Sequence, residues 1–171
     1  EDDILRYFRR VDEALNTLVG ITAEERSTTY KDVGLFNHQW DDPETFETIG
    51  VIPSTEIEEI SNGMLSMDVP VTVNRRVLDA DRVIVCGPVF PHEVVGFSGA
   101  TKYFFPGVSG PEVINFTHWL GALITSMEVI GTDNTPVRET IDRAVAFIRT
   151  PKLFCNMVVT HHGMVGLYVG D

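Results

Sequence analysis

The sequence predicts an α/β fold in which helices cover both faces of a layered, Rossmann-like sheet. Segments with apolar residues at helical spacing, such as residues 136–149, alternate along the chain with short β-branched runs such as RVIVCG at 82–87. The chain has 171 residues, about the length of one domain, and 43% of them are hydrophobic, which is enough for a core without disulfides. We therefore expect residues 1–171 to form a single α/β domain.

The first half of the chain predicts one long helix and several extended runs. Apolar positions recur at helical spacing over residues 3–16, whereas residues 22–32 are polar with no clear core face. GLFNHQWDDPETF is an extended run interrupted by Asp-Asp-Pro, and ETIGVIP is a second one. Asn62-Gly63 is a strong two-residue turn signal, so residues 55–74 predict a β-hairpin. Residues 75–80 predict a single helical turn.

The second half predicts the elements around a glycine-rich loop. RVIVCG predicts a buried strand that ends at Gly87-Pro88, and the loop should lie at the carboxyl end of this strand. A helix is predicted from Pro111 to about Ser126, because proline suits the first helical turn, and Glu-Val-Ile then predicts an extended link. LFCNMVVT and MVGLYVG predict two closing strands. The helix over 136–149 has an apolar face made of Val137, Ile141, Ala144, Val145 and Ile148.

Charge and composition exclude some classes of function. The formal net charge is −12 and no basic stripe exists, so a nucleic-acid partner is not expected. No run is long and apolar enough to predict a membrane span, and no export signal is recognisable, so we expect a cytoplasmic protein without a membrane partner. Cys86 and Cys155 lie in apolar runs and predict two buried, reduced thiols.

The glycine-rich loop is the strongest candidate for a site. Glycines let the backbone approach an anion, so Gly96, Ser98, Gly99 and Lys102 are compatible with phosphate or nucleotide binding, although they do not have the spacing of a Walker motif. An ordinary structural loop is the alternative. Lys102 lies between glycine and two phenylalanines, where its pKa can fall enough to make it a nucleophile or tether. Otherwise its ammonium group simply reaches solvent.

Two histidines flank this loop, and each allows two interpretations. His92 follows the predicted strand end, where it is either a hydrogen-bonded loop residue or an acid/base group. His118 lies beside Trp119 in an apolar helix, where it is either a core histidine or a metal ligand.

The motifs from residue 91 to 118 resemble the signature of nickel-dependent lactate racemases. The similarity includes Pro91-His92, the Gly-Phe-Ser-Gly run at 96–99, Lys102, the Pro-Gly-Val-Ser-Gly run at 106–110, and the segment from Asn115 to His118. Similar segments elsewhere are NHQWDDPE, VTVNRRVLDADRVI and the C-terminal CNMVVTHHGMVGLYVGD. The resemblance extends from about residue 18 to residue 171.

This resemblance implies an isomerase that racemises or epimerises 2-hydroxy acids with a nickel pincer nucleotide. In that case Lys102 is the covalent tether of the cofactor and His118 is the nickel ligand. His92 is one of two acid/base histidines, and Gly96, Ser98 and Gly99 contact the cofactor. The implied partners are a small 2-hydroxy acid and the proteins that make and insert the cofactor.

The chain also departs from the family pattern. Gly99-Ala100-Thr101-Lys102 stands where the family has Gly-Gly-Arg-Lys. The Asp-His-Thr-Arg-Pro segment with the substrate arginine, the Gly-Thr-His-Arg segment with the second histidine, and the second domain are absent. His38, His161 and His162 do not match that histidine's motif. The spacing also predicts that residues are missing near Asn16. We therefore expect an incomplete N-terminal lobe of a two-domain enzyme, inactive by itself.

Two alternatives to this interpretation belong to different functional classes. One is a non-catalytic, Rossmann-like module that binds a nucleotide or phosphate. The other is an interaction domain whose glycine-rich loop is structural.

Overall fold

The computed structural model describes residues 13, 16, 17 and 19–171, which belong to two compact units, Glu1–Asn37 and His38–Asp171. The predicted helix over 3–16 lies almost entirely outside the described residues. In the first unit, helix α1 (Ala23–Ser27) begins with a capping box. The Thr22 hydroxyl accepts a hydrogen bond from the Glu25 amide, and the Glu25 carboxylate accepts one from the Thr22 amide. The second unit contains the predicted strands and the site loop.

The second unit begins with a two-stranded antiparallel sheet of β1 (Phe46–Ile52) and β2 (Val69–Asn74). The predicted hairpin over 55–74 is wrong, because helix α2 (Ser54–Ile60) precedes β2. Asn62 and Gly63 do have positive φ, but they end the helix, where the Gly63 amide donates to the Glu58 carbonyl oxygen. A positive φ at these two residues is compatible with a hairpin turn and with the C-terminus of a helix. The burial of Ile57 and Ile60 on one face favours the helix.

The main sheet follows helix α3 (Arg75–Asp79), which confirms the predicted helical turn. Strand β3 (Val83–Val89) pairs in parallel with β6 (Lys152–Thr160), and β6 pairs antiparallel with β7 (Gly163–Gly170). A ribbon of β4 (Pro91–His92) and β5 (Gly96–Phe97) follows β3.

Strand β3 is buried on one face only. Val85 is 8% exposed, whereas its neighbour Ile84 is 60% exposed. Within the described residues, the face that contains Ile84 is therefore open. The prediction of two buried thiols is wrong, since Cys86 is exposed and Cys155, its register partner on β6, is half-buried.

Three helices follow the ribbon: α4 (Pro111–Ile124), α5 (Ser126–Val129) and α6 (Pro136–Val145). The first and third were predicted, while the predicted extended link is largely the short helix α5. The structure confirms the α/β class. It also confirms the apolar face over 136–149, since every predicted member is buried: Val137, Ile141, Ala144, Val145 and Ile148. None of the helices in the described part of the chain combines the length and apolarity needed to cross a bilayer.

Candidate functional site

The loop after β3 is closed by the side chain of Ser98. Its hydroxyl donates to the Pro88 carbonyl oxygen at 3.0 Å and accepts from the Phe90 amide at 3.0 Å, while the Ser98 amide donates to the Phe90 carbonyl oxygen. The hydroxyl is thus used to hold the loop against the end of β3. A contact between Ser98 and a cofactor stays a prediction.

Gly96 and Gly99, which were predicted to contact a ligand, are needed for the backbone conformation and the packing of the loop. Gly96 has φ +93°, and a Cβ there would lie 1.8 Å from the Thr132 carbonyl oxygen. Gly99 has φ +87°, and a Cβ there would lie 2.5 Å from the Val89 side chain. Both positions need glycine for conformation and packing. Their contact with a ligand stays a prediction.

Lys102 lies on a 3₁₀ turn, Ala100–Tyr103, that is anchored to the main sheet. The Ala100 amide donates to the Asn156 side-chain oxygen on β6 at 3.0 Å, and the Tyr103 hydroxyl donates to the Pro88 carbonyl oxygen at 3.2 Å. As predicted, the loop therefore lies at the carboxyl end of β3, which is also the end of its parallel neighbour β6. This is the usual place for ligands in open α/β sheets.

Arg138, in the first turn of α6, belongs to the same site and was not predicted. Its guanidinium donates to the Thr101 hydroxyl at 3.0 Å and to the Phe97 carbonyl oxygen. A guanidinium thus lies against Thr101, the position where the family pattern has an arginine. The position of Arg138 in the predicted helix was one local signal in the sequence. A cation in the first turn interacts unfavourably with the helix dipole, which suggests that it is placed there by other contacts.

The positive groups of the site influence one another. Burial lowers the pKa of Lys102, and the charge of Arg138 lowers it further, against an opposing effect of Glu93. Burial also lowers the pKa of His92, and Lys102, His118 and Arg138 add to this effect while Glu93 opposes it. The fold therefore places Lys102, His118 and Arg138 within electrostatic range of His92.

His118 is exposed on α4 and its ring orientation is fixed. Its Nδ1 lies 2.7 Å from the Ile114 carbonyl oxygen, one helical turn earlier. Because a carbonyl oxygen only accepts, Nδ1 must carry a proton, which leaves the lone pair of neutral imidazole on Nε2. This arrangement, with one ring nitrogen donating to a carbonyl, is typical of histidines that bind metals. The interpretation of His118 as a buried core residue does not fit its exposure.

His92 is held in the opposite tautomer. Its Nδ1 accepts a hydrogen bond from the Val94 amide at 3.1 Å and lies 3.6 Å from a Glu93 carboxylate oxygen. In the neutral ring the proton is consequently on Nε2. His92 therefore offers a donor to a ligand, and it accepts a proton at Nε2 only after a change of tautomer.

The remaining histidines have other surroundings. His38 accepts from the Asn74 side-chain amide at 3.0 Å and packs edge-on against Phe46. His161 and His162 contact each other at the exposed turn between β6 and β7. In the part of the chain that is described, no three His, Cys, Asp or Glu side chains are grouped as a metal site. The exposed His118, with its lone pair on Nε2, is a donor that fits a metal carried by a cofactor.

Comparisons with known proteins relate this site to a family. The model of the lactate racemase N-terminal domain family matches residues 22–131. A solved protein from Thermotoga maritima is similar at 30% identity with a TM-score of 0.81, over 92% of this chain and 38% of that chain. The lactate racemase apoprotein from Thermoanaerobacterium thermosaccharolyticum has 22% identity and a TM-score of 0.59, over 78% of this chain and 29% of that chain. At that identity the likeness shows the fold alone.

No sequence among the curated proteins is significantly similar to the chain. The chain spans 38% and 29% of the lengths of the two solved structures. The family match, however, covers well over half of the chain and includes His92, Lys102 and His118. The chain belongs to the lactate racemase N-terminal domain family.

Proposed function

We propose that the chain is the cofactor-binding lobe of a 2-hydroxy acid racemase or epimerase that uses a nickel pincer nucleotide. The observation that supports this proposal best is the grouping of His92, Lys102 and His118 around one loop at the carboxyl end of β3, in a chain of this family. In the whole enzyme the reaction is an isomerisation at the α-carbon. The cofactor, when bound, supplies a hydride acceptor, which no amino-acid side chain provides.

The residues of this chain have separate roles in the proposal. Lys102 forms the covalent tether, and partial burial beside Arg138 favours the neutral, nucleophilic amine that such a bond requires. His118 binds nickel through Nε2, because its Nδ1–H is held by the Ile114 carbonyl oxygen. His92 presents Nε2–H to the substrate oxygen while the Val94 amide holds Nδ1. With the ring proton moved to Nδ1, beside the Glu93 carboxylate at 3.6 Å, Nε2 would accept the substrate hydroxyl proton and later return it.

The proposal also concerns partners and location. A small 2-hydroxy acid is the substrate, and proteins that synthesise and insert the cofactor act on this chain. We expect this to take place in the cytoplasm, where the free thiols of Cys86 and Cys155 stay reduced.

The test is the intact mass of the protein after production with the cofactor-synthesis proteins. We expect a mass increase that peptide mapping assigns to Lys102 and to no other lysine. Lys102→Ala should abolish the increase and keep the fold, because the side chain is only half-buried. Lys152→Ala is the matched control: this lysine donates to the Ile148 and Thr150 carbonyl oxygens, outside the site. Cofactor mass on Lys102→Ala would contradict the proposed tether.

A non-catalytic module that binds phosphate or a nucleotide is the second candidate, favoured by the neighbouring cations Lys102 and Arg138. It predicts reversible binding with no change in covalent mass. The same mass measurement therefore separates the two candidates.

A further inference from the structure

The two cysteines of the chain lie side by side on the main sheet. Cys86 on β3 and Cys155 on β6 are register partners in the parallel pair, so their side chains leave the same face of the sheet. Both thiols are free, and Cys86 is exposed while Cys155 is half-buried. Two residues that are far apart in the sequence therefore form a pair of adjacent thiols.

The face that carries the two thiols points away from the site loop. Phe154, which precedes Cys155, lies on the other face, where its ring packs edge-on against Phe104 at 6.1 Å between centroids. The strand neighbours of the thiol pair on the open face are uncharged: Ile84, Leu153 and Val169. The pair is thus separate from the residues assigned to the cofactor.

The two thiols influence each other. The pKa of the Cys86 thiol is raised, first because the sheet shields it from water and then by the hydrogen bond and the charge of Cys155. Two thiolates in adjacent positions repel each other, and a cation bound between them removes that repulsion. Since the thiolate is the form that binds metals, such a cation replaces the thiol protons.

The spacing of the strands favours a bridging ion over a disulfide bond. Neighbouring strands lie about 4.8 Å apart, whereas the two Cβ atoms of a disulfide lie about 3.8 Å apart. A disulfide would therefore require the two strands to approach each other by about 1 Å. Two metal–thiolate bonds of about 2.3 Å, the length found for zinc, span about 4.6 Å and match the strand spacing.

A third sulfur lies on the same face of the sheet. Met157 follows Cys155 by two residues on β6 and is half-buried, and its unbranched thioether can turn toward the thiol pair. Among the described residues, no His, Asp or Glu joins the two cysteines in a group of three. Zinc prefers four ligands, while thiolate and thioether donors without nitrogen or oxygen select copper(I).

We propose that Cys86, Cys155 and Met157 form a binding site for one copper(I) ion on the face of the main sheet opposite the site loop. Binding of one Cu⁺ releases the two thiol protons to solvent and forms two copper–sulfur bonds. No electron is transferred, because the ion stays copper(I). The site goes beyond the proposed function and uses none of the residues assigned to the cofactor or the substrate.

The test is an anaerobic titration of the reduced, 171-residue chain with Cu⁺ in competition with a chromophoric copper(I) chelator. We expect one Cu⁺ per chain, with an affinity that falls as the pH is lowered, because protons compete for the thiolates. Cys86→Ser and Cys155→Ser should each weaken binding by more than about 100-fold, beyond the effect of changing a residue that merely supports a metal ligand. Urea unfolding of both variants verifies that the fold is retained.

Met157→Leu tests the third ligand while keeping an apolar side chain of similar size. It should weaken Cu⁺ binding less than either serine variant, because a thioether is a neutral ligand. Met67→Leu is the matched control, since Met67 is exposed and precedes β2 of the other sheet. It should leave the affinity unchanged. Equal affinities for the Met157 and Met67 variants would remove Met157 from the site.

The remaining outcomes also decide the question. No competition with the chelator, or binding that persists in Cys155→Ser, overturns the copper site. One Cu⁺ per two chains, with the size of a dimer in gel filtration, would mean that the ion bridges the exposed Cys86 of two copies, and this also overturns it. Zn²⁺ binding as tight as that of Cu⁺ would overturn the choice of ion. The mass test at Lys102 bears on the proposed function alone.

Discussion

His92 and His118 have the same side chain, and their backbone neighbours give the two rings opposite chemistry. An accepting group, the Ile114 carbonyl oxygen, holds Nδ1 of His118, while a donating group, the Val94 amide, holds Nδ1 of His92. The lone pair of neutral His118 is thus on Nε2, and the proton of neutral His92 is on Nε2. The first ring is prepared to bind a metal and the second to donate to an oxygen.

The first prediction follows from this difference. In the cofactor-loaded, full-length protein, His118→Ala should lose nickel, because the metal loses an imidazole ligand. His92→Ala should keep nickel and lose turnover by about 10²–10⁴-fold, the usual contribution of general acid–base catalysis. Metal analysis normalised to folded protein, together with racemisation rates, checks both. Equal nickel loss in the two variants, or in neither, would contradict the division of roles.

The second prediction concerns the pH dependence of stability. Burial and neighbouring cations lower the pKa of His92 from its ordinary value of 6.5, so the folded chain keeps this ring neutral where the unfolded chain protonates it. The unfolded state then binds more protons, and the stabilisation is present above pH 6.5 and is lost as the pH falls toward the folded pKa. Urea unfolding should therefore show stability rising with pH across this window. His92→Gln should flatten the rise, and an unchanged slope would contradict it.

Sequence alone selected His92, Lys102 and His118 as candidate site residues, because they lie in one family motif from residue 91 to 118, and their roles stay predictions. Arg138 could not be found that way, since its guanidinium reaches Thr101 only through the packing of α6 against the loop. Gly96 was predicted to let the backbone approach a ligand, and that contact stays a prediction. The structure gives another reason for glycine there, a positive φ and the nearby Thr132 carbonyl oxygen, which the local sequence does not reveal.

At the level of elements, predictions succeeded where periodicity was long and failed where a turn signal was ambiguous. The apolar face of α6 and the closing strands β6 and β7 were predicted correctly. Asn62-Gly63 was assigned to a hairpin although it ends helix α2. Local sequence specifies the positive φ values there, but tertiary burial decides which element comes before them.

The third prediction compares two glycines, each with positive φ. Gly96→Ala and Gly63→Ala both incur backbone strain of about 1–2 kcal/mol. Only the Cβ at position 96 meets a backbone atom, the Thr132 carbonyl oxygen, whereas nothing lies within 4 Å of one at position 63. Gly96→Ala should lower the free energy of unfolding by a further 1–3 kcal/mol, roughly the cost of overpacking. Chemical denaturation of both variants tests this prediction. Equal losses in the free energy of unfolding would show that the loop accommodates the added methyl group without a further cost.

At the scale of the whole molecule, and among the described residues, the main sheet has one face packed against the site loop and one face open. The strand residues on the open face are uncharged and include Ile84, Cys86, Leu153, Cys155, Met157, Leu167 and Val169. Ile84, Leu167 and Val169 are each more than half exposed. An apolar surface of this continuity marks an interaction site or an aggregation risk in a soluble domain.

The fourth prediction follows from that surface. The 171-residue chain should bind a fluorescent dye specific for exposed apolar surface while it is fully folded, and Leu167→Thr with Val169→Thr should reduce the signal. Their side chains contribute little to the core, so the free energy of unfolding should change little. Ile141→Ala is the control: Ile141 is fully buried, and its truncation should cost about 2–5 kcal/mol. Dye binding that the two threonines leave unchanged would place the apolar surface elsewhere.

The parallel pairing of β3 with β6 affects the order of events during biosynthesis, because it joins two segments that are far apart in the sequence. The Ala100 amide is anchored by a side chain 56 residues further along the chain, so the loop is synthesised well before its anchor. Contacts between such distant segments form late, because the entropy of closing the intervening chain must be overcome first. A nascent chain that ends before Asn156 therefore has Lys102 without its finished surroundings. If Lys102 is the cofactor tether, as proposed, attachment of the cofactor is expected to follow the translation and pairing of β6.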